Sequence, residues 1–258
     1  MSFVEIKGKK IGEGSPKICV PVMGHTDEEI LRQINMINAL QNNQIIDMVE
    51  VRADYFQGLG IPDEVERLMT AVQRELSEKI VLFTIRSEKE GGKKLSSEIT
   101  DIDGINRLVI ANKLADIVDV ELSDGIPSKR ELVELAHDNG VKIIMSYHNF
   151  DTTPEQEFMT GKLEAMKNMG ADIIKIAVMP RNIHDVYRLM EAALYTKEKF
   201  NVPIVAISMG AFGAITRVSG ALYGSDITFG ALEQASAPGQ IPVSDLKRMM
   251  DDIERYCM

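Results

Sequence analysis

The sequence predicts a (β/α)8 TIM barrel, an α/β fold with a parallel sheet at its centre. Two observations predict it. From Lys17 onward, short β-rich runs alternate with amphipathic helical stretches, the pattern of repeated strand–helix crossovers around parallel strands. Eight such strands fit into 258 residues, the usual size of one such barrel, so residues 1–258 are read as a single domain.

The elements follow in order. The leading segment "FVEIKGKKIGEG" (3–14) has strand character and a Gly-rich turn, and is expected to form a β-hairpin closing the barrel floor. Strands are expected at 17–22, 46–51, 79–85, 117–122, 141–147, 172–178, 202–208 and 225–232. Between them, "TDEEILRQINMINAL" (26–40) opens with an N-cap and early acids, and Ile30, Ile34 and Ile37 make one apolar face. Segments 62–76, 128–140, 153–170 and 182–200 repeat the scheme, and Gly140 and Gly170 close two of them as helix ends prefer. An open doubly wound sheet is the alternative, but the first strand–helix junction, "PVMGHTDEE", lacks the G-x-G-x-x-G of a dinucleotide-binding turn.

Composition bounds the function. A content of 45% hydrophobic and 26% charged residues is that of a globular protein, and no apolar run approaches a membrane span. The opening "MSFVEIKGKK" lacks the features of a signal peptide, and Cys19 and Cys257 offer neither a disulfide framework nor metal-ligand spacing. A cytoplasmic location is therefore expected. A formal net charge of −10 opposes nonspecific attraction to nucleic acid or anionic lipid, so an anionic ligand must be met by locally placed cations.

In a parallel barrel the reacting groups sit at the C-terminal ends of the strands. There the sequence places Glu50 and Arg52 of "EVRAD", Arg86 and Glu90 of "FTIRSEKEGG", Asp119 and Glu121 of "VDVEL", and His148 of "SYHNF". Lys175 lies within the apolar run "IIKIAV", Arg217 ends the loop "SMGAFGAITR", and Ser236 and Gln240 lie in "EQASAPGQIP". Singly each has a structural explanation: a barrel-closing ion pair, a hydrogen-bonded histidine, a lysine whose stem packs while its head reaches water. Gathered at one end, they suit a site for a polyhydroxy acid. A lysine in apolar surroundings tends to give up its proton, and a neutral amine adds to a ketone or aldehyde to form an imine. Histidine, with an unperturbed pKa near ~6.5, can then move protons, and an arginine can hold a carboxylate by two parallel hydrogen bonds. These residues point to Schiff-base chemistry on a small anionic carbonyl compound, either a dehydration or an aldol cleavage.

"DVEL", a twenty-residue gap and "IIMSYHNF" resemble the histidine signature of the type I 3-dehydroquinate dehydratases. "EVRAD", "FTIRSEKEGG", "IKIAVMP", "SMGAFGAITRVSGALYGSDITFG" and "SAPGQI" are similar to that family's other blocks, in the same order, from about Pro16 to the end. The resemblance implies a dimeric barrel that converts 3-dehydroquinate to 3-dehydroshikimate in the shikimate pathway without a metal or organic cofactor. It implies Lys175 as the imine-forming lysine, His148 as general acid/base, Glu90 as the carboxylate assisting the histidine, and Arg217 as the carboxylate clamp. Glu50, Arg52, Arg86, Ser236 and Gln240 would bind hydroxyls or close over the ligand, and Asp119 or Glu121 would orient the histidine. Val51, Tyr147 and Asn149 depart from common family residues, which puts affinity in question more than reaction type. Two rivals stand beside this reading. A class I aldolase would use the same lysine and need a phosphate cradle after the last two strands, and a catalytically silent binding protein would need no reactive amine.

Overall fold

The computed structural model describes residues 3–257 apart from 98, 100, 123–125, 233 and 234. β1 (Val4–Ile6) and β2 (Lys9–Ile11) pair antiparallel as the leading hairpin. The parallel sheet comprises β3 (Lys17–Val22), β4 (Met48–Arg52), β5 (Ile80–Thr84), β6 (Ile117–Glu121), β7 (Lys142–Asn149), β8 (Ile173–Val178), β9 (Ile204–Ser208) and β10 (Ile227–Phe229). Its order is β10-β3-β4-β5-β6-β7-β8-β9. The two edges meet: the Asp226 amide donates to the Ile204 carbonyl at 2.7 Å, and the Asp226 carboxylate accepts the Ile204 amide at 2.7 Å. The sheet therefore closes into a barrel, as expected, and the open-sheet alternative falls.

The crossovers are α1 (Asp27–Ala39), α2 (Pro62–Glu75), α3 (Ile102–Ala111), α4 (Ile126–Asn139), α5 (Gln156–Asn168), α6 (Ile183–Phe200), α7 (Gly210–Val218), α8 (Gly220–Tyr223) and α9 (Val243–Cys257). Local sequence sets their starts: Thr26 accepts from the Glu29 amide, Asp101 from Gly104, and Asn182 from His184 and Asp185. One assignment needs correction. "SMGAFGAITR" is not a loop: its residues from Gly210 onward open α7 directly after β9. A Cβ on Gly213 would stand 2.1 Å from the Ser208 carbonyl oxygen, so only glycine lets the helix pack this closely over the strand end.

Strand alternation divides the core in two. Outward residues such as Val20, Val49, Val51 and Ile176 pack against helix residues including Ile30, Ile34 and Leu189. Inward residues of the lower barrel are apolar: Met48, Ile80, Leu82, Ile117, Ile144, Ile173, Val205 and Ile227 form one cluster with Val4 and Ile11 of the hairpin. Each such side chain contributes roughly 1.5–3 kcal/mol when fully buried. Lys7 fastens the hairpin beneath β5 and β6, donating to the Lys79 carbonyl at 2.8 Å and pairing with Asp116 at 2.8 Å, while Lys9 pairs with Asp47 at 3.1 Å. The floor is thus closed by a dry plug.

Candidate active site

Going up each strand, the inward positions change from apolar to polar or charged. Met48 is followed by Glu50 and Arg52, Leu82 by Thr84 and Arg86, Ile117 by Asp119 and Glu121, Ile144 by Ser146 and His148, and Ile173 by Lys175. Two-residue periodicity aims all of them into the mouth. Glu50, Arg52, Arg86, Glu90, His148, Lys175, Arg217, Ser236 and Gln240 line one pocket, together with Met209 and Phe229. These nine expected residues are therefore in the same place, while Asp119 and Glu121 stand behind them on Arg86. Glu233 and Gln234, in the last loop, lie outside the described residues.

Lys175 is only 4% exposed. Its Nζ lies 3.3 Å from Asp119 Oδ2 and 3.9 Å from Glu50 Oε1, and stands over the Phe229 ring at 4.5 Å. Two carboxylates and an aromatic face replace the water an ammonium loses on burial. The position answers why a lysine stands in an apolar strand: Ile174 and Ile176 on either side face outward into the core, whereas Lys175 points into the barrel beside acids.

Arg86 organises the back wall. It donates to Asp119 Oδ2 at 2.8 Å, Glu121 Oε1 at 3.0 Å and Ser146 Oγ at 2.9 Å. Ser146 donates in turn to Asp119 Oδ1 at 2.6 Å, and the Ser87 amide to Glu121 Oε1 at 2.8 Å. Although burial disfavours its charge, Asp119 is held below the usual carboxylate range by Arg86 and Lys175. This corrects the expectation that Asp119 or Glu121 orients the histidine, since both are committed to Arg86.

Glu90 is the residue on the histidine. Its Oε2 lies 2.9 Å from His148 Nδ1 and accepts the His148 backbone N–H at 2.9 Å, leaving ring Nε2 for chemistry. Burial, reinforced by the charge of Glu121, pushes Glu90 up to about 8. Burial, reinforced by Arg86, Lys175 and Arg52, pulls His148 well below its ordinary value. At neutral pH the ring is therefore neutral and Glu90 holds a proton. A protonated Glu90 donates to Nδ1 and leaves hydrogen on Nε2, an acid. Loss of that proton turns the hydrogen bond round and leaves Nε2 a lone pair, a base.

Arg217 is 1% exposed and donates only to carbonyls, those of Phe229 at 3.3 Å and Pro238 at 2.9 Å. Its Nε has no partner, and among the described residues no carboxylate pairs with it. Burial pulls it down to about 10, which still leaves it charged at neutral pH. A buried cation with an idle donor is a receptor for an anion. Over it folds the last loop, in which the Ser236 amide donates to Gln240 Oε1 at 2.7 Å and Gln240 Nε2 to Ser236 Oγ at 2.9 Å. The Gly210 amide at the start of α7 is already taken by the Pro238 carbonyl at 3.1 Å, so that end of the loop pair is no open phosphate cradle.

Sequence reasoning missed three supporting groups. Thr84, which donates to Glu50 Oε1 at 2.9 Å, and Ser146 lie two residues before Arg86 and His148, so alternation could have found them. Asp54, paired with Arg52, lies past the strand end in the short turn Ala53–Tyr55, where a period of two no longer applies. The departures fall off the site: Val51 is buried in the outer core, Tyr147 packs on Phe158, and Asn149 accepts from the Asp151 and Thr152 amides.

A closed parallel barrel with a buried lysine, a histidine–carboxylate pair and a buried anion receptor at its C-terminal mouth defines an enzyme of the Schiff-base class. The chain belongs to the type I 3-dehydroquinase family, whose model matches residues 18–256. The 3-dehydroquinate dehydratase of Clostridium novyi is 40% identical over 253 residues, covering 97% of this chain and 98% of that one. The crystal structure of the Geobacillus kaustophilus 3-dehydroquinate dehydratase superposes with a TM-score of 0.94 at 32% identity, covering 100% of this chain and 98% of that one. The type I 3-dehydroquinate dehydratase of Clostridium difficile, solved with covalently modified comenic acid, gives 0.92 at 36% identity with 98% of both chains covered. The family expected from the sequence blocks is borne out.

Proposed function

We infer that this chain is a hydro-lyase that removes water from 3-dehydroquinate to give 3-dehydroshikimate, in the shikimate pathway of aromatic amino acid biosynthesis. Within this reading, the observation that carries the mechanism is one pocket holding Lys175, the free ring nitrogen side of His148 and the unpartnered donor of Arg217. Covalently modified comenic acid in the Clostridium difficile relative supports capture of an acid by a covalent bond.

The geometry supports the following steps. Arg217 binds the carboxylate, Glu50, Arg52 and Arg86 take hydroxyls, and Ser236 and Gln240 close over the ligand. Lys175 adds to the ketone; of the three hydrogens of its ammonium, two leave with the carbonyl oxygen as water and one stays on the iminium, whose positive charge faces Asp119 at 3.3 Å. The iminium withdraws electrons from the adjacent C–H. With Glu90 ionised, His148 Nε2 takes that proton and the electron pair flows into an enamine. The enamine expels the β-hydroxyl, which leaves as water carrying the proton now on His148. A second water hydrolyses the conjugated iminium and restores the lysine, so one water is lost in all.

We read residues 1–258 as one catalytic barrel, because the residues assigned roles come from strands and loops between β4 and α9. The protein is placed in the cytoplasm, with the pathway's other small-molecule chemistry, and works as a homodimer. The dimer has a surface to form on. Ile183, Tyr187 and Leu194, spaced along one side of α6, are exposed beside exposed Phe212 and Ile215 of α7 and Leu222 of α8, helices that pack on α6. Exposed apolar side chains gathered on neighbouring helices suit a protein–protein contact. Turnover tests the function: purified protein given 3-dehydroquinate should produce a conjugated enone acid, read by its ultraviolet absorbance, and no such product would refute it.

A further inference from the structure

Asp54 is buried with a side chain that is 0% exposed, and it has no role in the steps above. Its two oxygens collect four donors. Arg52 reaches them side-on, Nε to Oδ1 at 2.8 Å and Nη2 to Oδ2 at 2.8 Å, the fork geometry that fixes a guanidinium in both position and plane. The other two donors come from the backbone of a different segment: the Arg86 amide at 3.4 Å to Oδ1 and the Lys93 amide at 3.0 Å to Oδ2.

Those amides are the two ends of one loop. Between them, Glu90 N–H donates to Ser87 O at 3.0 Å and Gly92 N–H to Ser87 O at 2.8 Å, a tight turn that puts Glu90 against His148. The turn is crowded: a Cβ on Gly92 would stand 1.9 Å from the Arg86 carbonyl oxygen. A loop of this length has many conformations unless its ends are held, and one carboxylate holds both. The same carboxylate fixes Arg52, which lines the pocket.

We propose that Asp54 is a positioning residue for the dehydration, a single clasp that sets the ligand-binding Arg52 and the Glu90-bearing loop against each other. This rests on the roles inferred above for Arg52 and Glu90. Binding and proton transfer are then coupled through a group that touches neither substrate nor His148. A carboxylate serving the fold alone would affect melting but not the balance between the two.

The test is Asp54→Asn, which keeps the shape but loses the charge and one acceptor oxygen. The variant should raise KM through Arg52 and lower kcat through Glu90, with a combined loss in kcat/KM of ~10²-fold, the scale of a misplacement of about 1 Å. It should also displace the pH limb that belongs to the Glu90–His148 pair. Asp54→Glu, which keeps the charge but moves both oxygens, should recover part of the Arg52 binding and little of kcat. Folded Asp54→Asn with wild-type kcat, KM and pH profile overturns the proposal, as does a change in KM alone equal to that of Arg52→Ala. Loss of folding in both Asp54 variants would assign the residue to the fold and overturn it too. Arg52→Ala and Glu90→Gln separate the two readings: wild-type kinetics in both would refute the roles assigned to those residues, whereas wild-type kinetics in Asp54→Asn alone would refute only the clasp.

Discussion

Glu90 holds His148 at two points through one oxygen, the ring Nδ1 and the backbone N–H both at 2.9 Å. Because burial lifts this carboxyl to about 8 while the ring is pushed well below its ordinary value, the pair loses its proton from Glu90 rather than from an imidazolium. The base form of His148 is the one with a proton fewer. kcat/KM should therefore rise with pH along a limb centred near 8, and the limb should vanish in Glu90→Gln. A wild-type profile flat through that range would contradict the assignment.

The proposed mechanism divides the work between His148 and Lys175. His148→Ala should slow turnover by ~10²–10⁴, the usual worth of a positioned acid/base. Capture by the lysine should survive, so intact mass after borohydride reduction should show an adduct of the undehydrated substrate. Normal turnover would return His148 to a structural role. A folded variant that neither binds nor reacts would show that the histidine also serves imine formation.

Arg217 has a donor with no partner, and its removal should be felt by the ligand's carboxylate. Arg217→Ala should weaken substrate binding by about 2–5 kcal/mol, and Arg217→Lys should restore only part, lacking the planar fork. Melting curves provide the control, because the guanidinium also holds the Phe229 and Pro238 carbonyls. Unchanged KM and kcat in both variants would remove the clamp.

The exposed apolar side chains of α6, α7 and α8 are where we place the proposed dimer interface. Tyr187→Glu combined with Phe212→Glu should turn a dimer into a monomer in sedimentation or light scattering, since charges in the core of an interface go unpaired. A dimer that persists would put the interface elsewhere.

The barrel was legible because periodicity is a strong signal when strands are buried on both faces and helices on one. The site was legible for a related reason: Glu50, Arg52, Asp119, Glu121 and His148 occur at even spacing at strand ends, and a period of two turns that spacing into a shared direction. The helical character of α7 was hidden by the two glycines of "SMGAFGAITR", Gly210 and Gly213, which read as turn punctuation, whereas Gly213 allows the close approach over Ser208. Spacing alone could not choose the histidine's partner among the acids, and only the family resemblance pointed to Glu90, because contact across the mouth depends on how the Arg86–Lys93 loop folds back. Asp54 went unseen for the same reason, since its partners meet it only in three dimensions.

The central claim is that Lys175, held 3.3 Å from Asp119 at the mouth, captures the substrate as an imine. Borohydride added with 3-dehydroquinate or 3-dehydroshikimate should reduce that bond to a secondary amine that survives denaturation, and peptide mapping should find the added mass on Lys175. Lys175→Ala, which removes little core packing, should stay folded and take no label. A label on any other lysine, or turnover with no label at all, would contradict the account.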